Sequence, residues 1–329
     1  MTDDAVPGPG GSLAAMVKVG VVLPIEQADG AAAPPGYRDI REIALATETA
    51  GLDSVWVFDH LLYRFDGVTT GLHECWTILS AIAEATSRVQ LGSIVMCTTF
   101  RNPALLAKMA GTLDHVSDGR LILGIGCGWH DPEYEAFGFP TDHKVGRFEE
   151  ALTVIRGLIR EGRADLDGRW VQARDAVLVP PARRDLPILI AAKRPRMMDL
   201  TARHADAWNL AWFGEPDERL ARGRADLAAA CEAAGRDPST LEITVGLTVR
   251  YPDLPWPSAD GAGSAAPAAS DGPSLSGSDE AIAAGLAAHA VLGAGHLIVA
   301  LEPATPAAVE RLATAVRLMR EILAGASGA

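Results

Sequence analysis

Asp59-His60 follows an apolar run at 54–58 and sets a carboxylate beside an imidazole, the one side chain that readily gives or takes a proton at neutral pH. Four further places share the pattern of reactive or polar groups released straight after apolar residues. They are Cys97 to Thr99; Cys127, Trp129 and His130; Ala191-Ala192-Lys193-Arg194; and Asn209, Trp212 and Phe213. The set lacks the carboxylate and histidine density of a metal centre and the paired acids of a glycosidase. A mostly apolar floor with one Asp-His pair, two cations and several aromatic rings suits a planar cofactor with an anionic tail better than it suits hydrolysis.

The elements that must position these groups read as a repeating unit. Strand-like runs at 17–23, 54–58, 89–96, 121–126, 187–191, 207–211, 241–250 and 296–301 alternate with helical patterns at 37–50, 75–85, 103–116, 145–159, 196–204, 216–234, 279–292 and from 305 to about 323. Asn102 before Pro103 is a cap followed by a proline in the first turn, and Gly51 and Gly235 stand where helices stop. Parallel strands joined by helical crossovers either open into a doubly wound sheet or close. Eight units in about 300 residues favour the closed TIM (β/α)8 barrel, and no GxGxxG follows the first strand. In such a barrel the carboxyl ends of the strands carry the chemistry.

Residues 1–15 are rich in Gly, Pro, Ala and Asp and read as a disordered leader, leaving 16–329 as one barrel domain. Residues 252–278 are low in complexity and read as a flexible surface insertion, and 169–179 reads as a small added hairpin. The loops at 63–73 and 127–141 are longer than a routine strand-to-helix turn and are expected to wall the site. A net charge of −13 argues against nucleic acid and anionic membrane as partners and leaves a small molecule. No run approaches the roughly 20 apolar residues of a membrane helix, and four cysteines without CxxC spacing read as reduced thiols of a cytoplasmic protein without a metal site.

Residues 53–60 (DSVWVFDH), 91–95 (LGSIV), 100–103 (FRNP), 113–120 (LDHVSDGR) and 124–129 (GIGCGW) together resemble the bacterial luciferase-like superfamily, and the likeness extends through 187–209 to the last two barrel units. The resemblance implies a TIM barrel that binds coenzyme F420 or FMN and handles hydride or oxygen chemistry on an organic substrate, commonly as a homodimer. It implies a non-proline cis peptide between Ile94 and Val95, in a bulged third strand that backs the cofactor ring. Deazaflavin-using members carry an Asp-His pair where Asp59 and His60 stand, so His60 is expected to exchange the substrate proton. Asp59 is expected to accept from the cofactor or to fix the imidazole tautomer.

Cys97 and Cys127 fall near the ring in the same comparison, and Trp129, His130 and Trp212 are expected in the substrate pocket. Many relatives bind the cofactor phosphate with a Gly-rich turn after the fifth strand. Here Ala191, Ala192, Lys193 and Arg194 replace it, so an anion is expected at the N-terminus of the next helix beside two cations. The expected activity is hydride transfer between reduced F420 and a small organic carbonyl, alcohol, imine or conjugated alkene. The alternatives are an FMN-dependent monooxygenase of the same fold and a non-catalytic flavin-binding or assembly subunit.

Overall fold

The computed structural model describes residues 16–28, 33–256 and 272–326. The leader expected at 1–15 and the middle of the expected insertion, 257–271, lie outside the described residues. The chain opens with β1 (Lys18–Val22), α1 (Tyr37–Thr49) and β2 (Ser54–Val57), followed by a hairpin of β3 (Leu62–Phe65) and β4 (Val68–Gly71). Next come α2 (Cys75–Ala85), β5 (Gln90–Ser93), β6 (Met96–Cys97), α3 (Pro103–Val116), β7 (Leu121–Gly126), α4 (Asp131–Phe137) and α5 (Lys144–Arg156). A second hairpin, β8 (Arg163–Asp167) and β9 (Gln172–Val177), precedes β10 (Ile188–Ala191), α6 (Pro195–His204), β11 (Ala207–Phe213) and α7 (Glu218–Ala233). The chain continues through β12 (Glu242–Arg250), β13 (Leu275–Ser276), α8 (Asp279–Val291), β14 (His296–Glu302) and α9 (Pro306–Ala326).

Parallel pairing runs β1, β2, β5, β7, β10, β11, β12, β14 and back to β1, so the sheet closes into an eight-stranded TIM barrel. Both long loops hold structure that the sequence did not disclose: the β3–β4 hairpin lies within 63–73 and its approach, and α4 within 127–141. The hairpin expected at 169–179 starts earlier, at Arg163. It is anchored by Glu150, whose carboxylate accepts the N–H groups of Arg169, Trp170 and Val171 at 2.9, 2.8 and 2.8 Å. The described flank of the 252–278 segment is docked: Leu275 is buried in the core, and β13 pairs with the end of β12.

Side chains of Val22, Trp56, Ile122, Leu189, Ala207 and Ile298 fill the barrel interior. The Trp56 indole is accommodated because glycines face it from both neighbouring strands. A Cβ on Gly92 would lie 2.1 Å from the ring, and one on Gly20 would lie 1.9 Å from Ser54 Oγ and 2.7 Å from the indole nitrogen. Phe58, Ile94, Val95 and Ala300 pack on top of this plug and remain partly exposed, giving an apolar shelf at the carboxyl end.

Two strands bulge beside that shelf. Gly92 pairs with Ile122 and Met96 with Ile125, so three residues of the third strand oppose two of β7. The Ile94–Val95 peptide inside this bulge is cis, as expected from the resemblance. A second bulge, unforeseen, lies between Leu210 and Phe213 of β11, where the Ala211–Trp212 peptide is also cis.

Candidate active site

Side chains alternate along a strand, so the inward positions Ser54, Trp56 and Phe58 of the second strand are continued by His60, while Val55 and Val57 are continued outward by Asp59. The expectation that Asp59 orients the His60 ring is therefore corrected: adjacent residues of an extended chain face opposite ways. Asp59 is buried and turned to Arg101, which donates to it from both terminal nitrogens at 2.6 and 3.1 Å. It also accepts the Cys97 N–H at 2.9 Å and the Cys75 thiol at 3.3 Å. Burial works against the Arg101 charge, but Asp59 outweighs it and holds the guanidinium above its ordinary value. Asp59, Glu74 and Cys75 are close enough to hold a metal ion, yet Arg101 already joins both carboxylates.

Asp59 thus supports the loop after the third strand. Asp59→Asn is expected to cost roughly 3 kcal/mol of unfolding free energy, because a mostly buried guanidinium keeps only Glu74 as its charge partner. Urea denaturation measures this, and a loss below about 1 kcal/mol would mean that the pair contributes no more than a surface bridge.

The partner of His60 comes from α4. Its Nδ1 lies 2.9 Å from Glu133 Oε1, and the other carboxylate oxygen accepts the Leu61 N–H at 2.8 Å. A carboxylate only accepts, so the neutral ring carries its proton on Nδ1 and leaves Nε2 with no partner among the described residues. Glu133 went unassigned in the sequence, although a signal was there. Asp131-Pro132-Glu133 is a helix start with acidic residues in its first turn, and Gly138, in a left-handed conformation with φ 77°, stops the helix.

Around the imidazole stand Tyr63 at 4.5 Å, Trp129 at 5.4 Å and His130 at 6.3 Å between ring centroids. His130 is buried, accepts the Arg64 N–H at Nε2 (3.0 Å), and is held by burial below the usual imidazole range. Burial and the charges of Glu26 and Glu133 push the Tyr63 phenol up, so it stays neutral. Two of the three expected pocket residues, Trp129 and His130, therefore gather at His60. Trp212 stands at the β11 bulge, packed over Gly246 of β12, and makes no ring contact with that group.

Cys97 and Cys127 meet on Tyr134 of α4. Tyr134 Oη donates to the Cys127 carbonyl at 2.9 Å and lies 2.9 Å from the Cys97 sulfur, fastening α4 to the barrel. Burial pushes the Cys97 thiol up to about 11 and also raises Cys127, so both stay protonated at neutral pH. Ala191 ends β10, Ala192 follows it buried, and Lys193 and Arg194 are exposed just before the first turn of α6. Neither cationic side chain bonds to a described residue. Lys193 lines a cavity of about 160 Å³ with Phe213, Arg219, Arg222 and Asp226. Partial burial and the Arg219 charge push its ammonium below the ordinary value.

A closed parallel barrel with an apolar shelf over its plug, a bulged third strand and a histidine–carboxylate pair at the rim defines a TIM barrel with a candidate active site at the carboxyl ends of its strands. Residues 17–253 match the family described as luciferase-like monooxygenase, and the chain belongs to that family. It is 34% identical over 200 residues to an F420-dependent glucose-6-phosphate dehydrogenase of Amycolatopsis mediterranei, covering 59% of this chain and 57% of that protein. It is 34% identical over 181 residues to the pyrimidine monooxygenase RutA of Methylorubrum extorquens, covering 52% and 49%. The chain thus spans less than two thirds of either relative. The structure of an F420-dependent secondary alcohol dehydrogenase in complex with an F420-acetone adduct shares the fold, with a TM-score of 0.75 and 18% identity over 92% of this chain and 99% of that one.

Proposed function

We propose that this protein is an F420-dependent oxidoreductase acting on a small organic carbonyl or alcohol. The observation that carries the reading is the His60 imidazole, held by Glu133 through Nδ1 so that Nε2 is left to hold the substrate proton at the edge of the apolar shelf. The names of the relative and of the structural neighbour support F420 as the coenzyme. The residues fit such a group: Phe58, Ile94, Val95 and Ala300 form a partly exposed apolar seat, and Lys193 and Arg194 before α6 offer charge to an anionic tail. Bound there, F420 would supply a hydride acceptor or donor.

His60 then takes the hydroxyl proton when an alcohol is oxidised and returns it when a carbonyl is reduced. Glu133 keeps the ring turned, with Nδ1 held at 2.9 Å and Nε2 free for the substrate. Tyr63, Trp129 and His130 keep bulk water from that side of the imidazole. Free thiols and the lack of any described helix able to span a membrane agree with work in the cytoplasm, and pairing through outer helices would make the protein a homodimer.

Titration with F420 and with FMN tests the assignment. Binding of F420 at micromolar concentration, at least tenfold tighter than FMN and at least tenfold weaker in a Lys193→Ala/Arg194→Ala variant, is the expected result. Preference for FMN together with oxygen uptake during turnover would replace it by the second reading, an FMN-dependent monooxygenase, to which the likeness to RutA points.

A further inference from the structure

The β3–β4 hairpin and the loop after β7 build a wall of rings next to His60. Alternation along β3 turns Tyr63 and Phe65 to one face and Arg64 to the other, where its Nε bonds Thr69 of β4. Tyr63 stacks on Phe65 at 5.8 Å and 28°, and Phe65 on Trp129 at 6.4 Å and 23°. The His130 ring fills the space between them, 4.8 Å from Phe65 and 5.2 Å from Trp129. Trp129 is 61% exposed and Phe65 54%, and Val68 at the hairpin tip is 65% exposed. An exposed apolar surface of this kind marks a binding site when it is continuous with a reactive group. This one reaches His60 through Trp129 at 5.4 Å.

We propose that Phe65 and Trp129 hold the apolar chain or ring of an uncharged substrate, so that the enzyme selects hydrophobic ketones and secondary alcohols over phosphorylated sugars. The proposal rests on the oxidoreductase reading above and names the substrate class of the same site. One further observation selects the class: the wall carries no charge, because His130 accepts at Nε2 as a neutral ring and Tyr63 stays protonated.

Calorimetric titration of the cofactor-free full chain with octan-2-one, propan-2-one and glucose 6-phosphate tests it, using wild type and a Phe65→Ala/Trp129→Ala variant. Octan-2-one is expected to bind wild type at least tenfold more tightly than either other ligand, and the variant is expected to lose that advantage. Unchanged thermal melting of the variant shows that it is folded, as expected for two side chains more than half exposed. Equal affinity for the two ketones, tighter binding of glucose 6-phosphate, or an undiminished advantage in the variant would overturn the proposal. So would a change of oligomeric state in the variant, which would give the wall to a second copy of the chain. F420 titration of wild type is read separately: its failure removes the coenzyme assignment and leaves the ketone comparison standing.

Discussion

His60→Asn is expected to lower kcat about 10²- to 10⁴-fold in an F420-linked assay with secondary alcohols, the usual contribution of a positioned proton-transfer group. The Kd for F420 should change less than threefold, on the order of 0.5 kcal/mol, because the apolar shelf and the cations before α6 are untouched. Glu133→Gln is expected to lose about 10- to 100-fold, as is common when the group orienting an imidazole is altered. Its amide can still accept the Leu61 N–H but can also present an N–H to the ring, so the fixed tautomer is lost. Nitrogen NMR of the labelled imidazole reads this directly: Nδ1–H should dominate in wild type and cease to dominate in the variant. Wild-type turnover in His60→Asn would remove the imidazole from the reaction.

Acid is expected to destabilise the barrel through a different histidine. His296 of β14 is fully buried in the interior, with its ring 5.2 Å from Trp56. Ser54 Oγ accepts the indole N–H at 2.7 Å and lies 2.7 Å from His296 Nε2, while His296 Nδ1 has no partner. Burial, assisted by the Lys18 charge, lowers the imidazole from 6.5 to about 3. Between those values the unfolded chain binds a proton that the folded chain refuses, so stability falls as pH drops from about 6.5 towards 3. The slope is roughly 1 kcal/mol per pH unit for one such group. Urea denaturation at pH 7 and pH 4.5 should show this loss in wild type and a smaller one in His296→Gln. Equal losses would mean that His296 does not set the acid limit.

Much of this molecule could be read from the order of its residues. Alternating apolar runs and amphipathic stretches located all eight barrel strands, and the Asn102 side chain caps α3 by accepting the Ala104 and Leu105 N–H groups at 2.9 and 3.1 Å. The site was legible only in part. Strand parity already sent Asp59 and His60 to opposite faces, but their adjacency in sequence invited a pair that adjacency in an extended chain forbids. The true partner, Glu133, lies 73 residues away on a seven-residue helix, too short for a hydrophobic period to reveal. The bulge in β11 had no local signature: the run at 207–211 reads as an ordinary strand that stops before Trp212, whereas β11 continues through the bulge to Phe213.

The Trp56 plug makes the barrel a vessel with a sealed bottom and one opening. A coenzyme seated on Phe58, Ile94, Val95 and Ala300 would share this doorway with a substrate leaning on the rim. Turnover is therefore expected only when the coenzyme lies beneath, and a substrate bound first is expected to slow coenzyme entry.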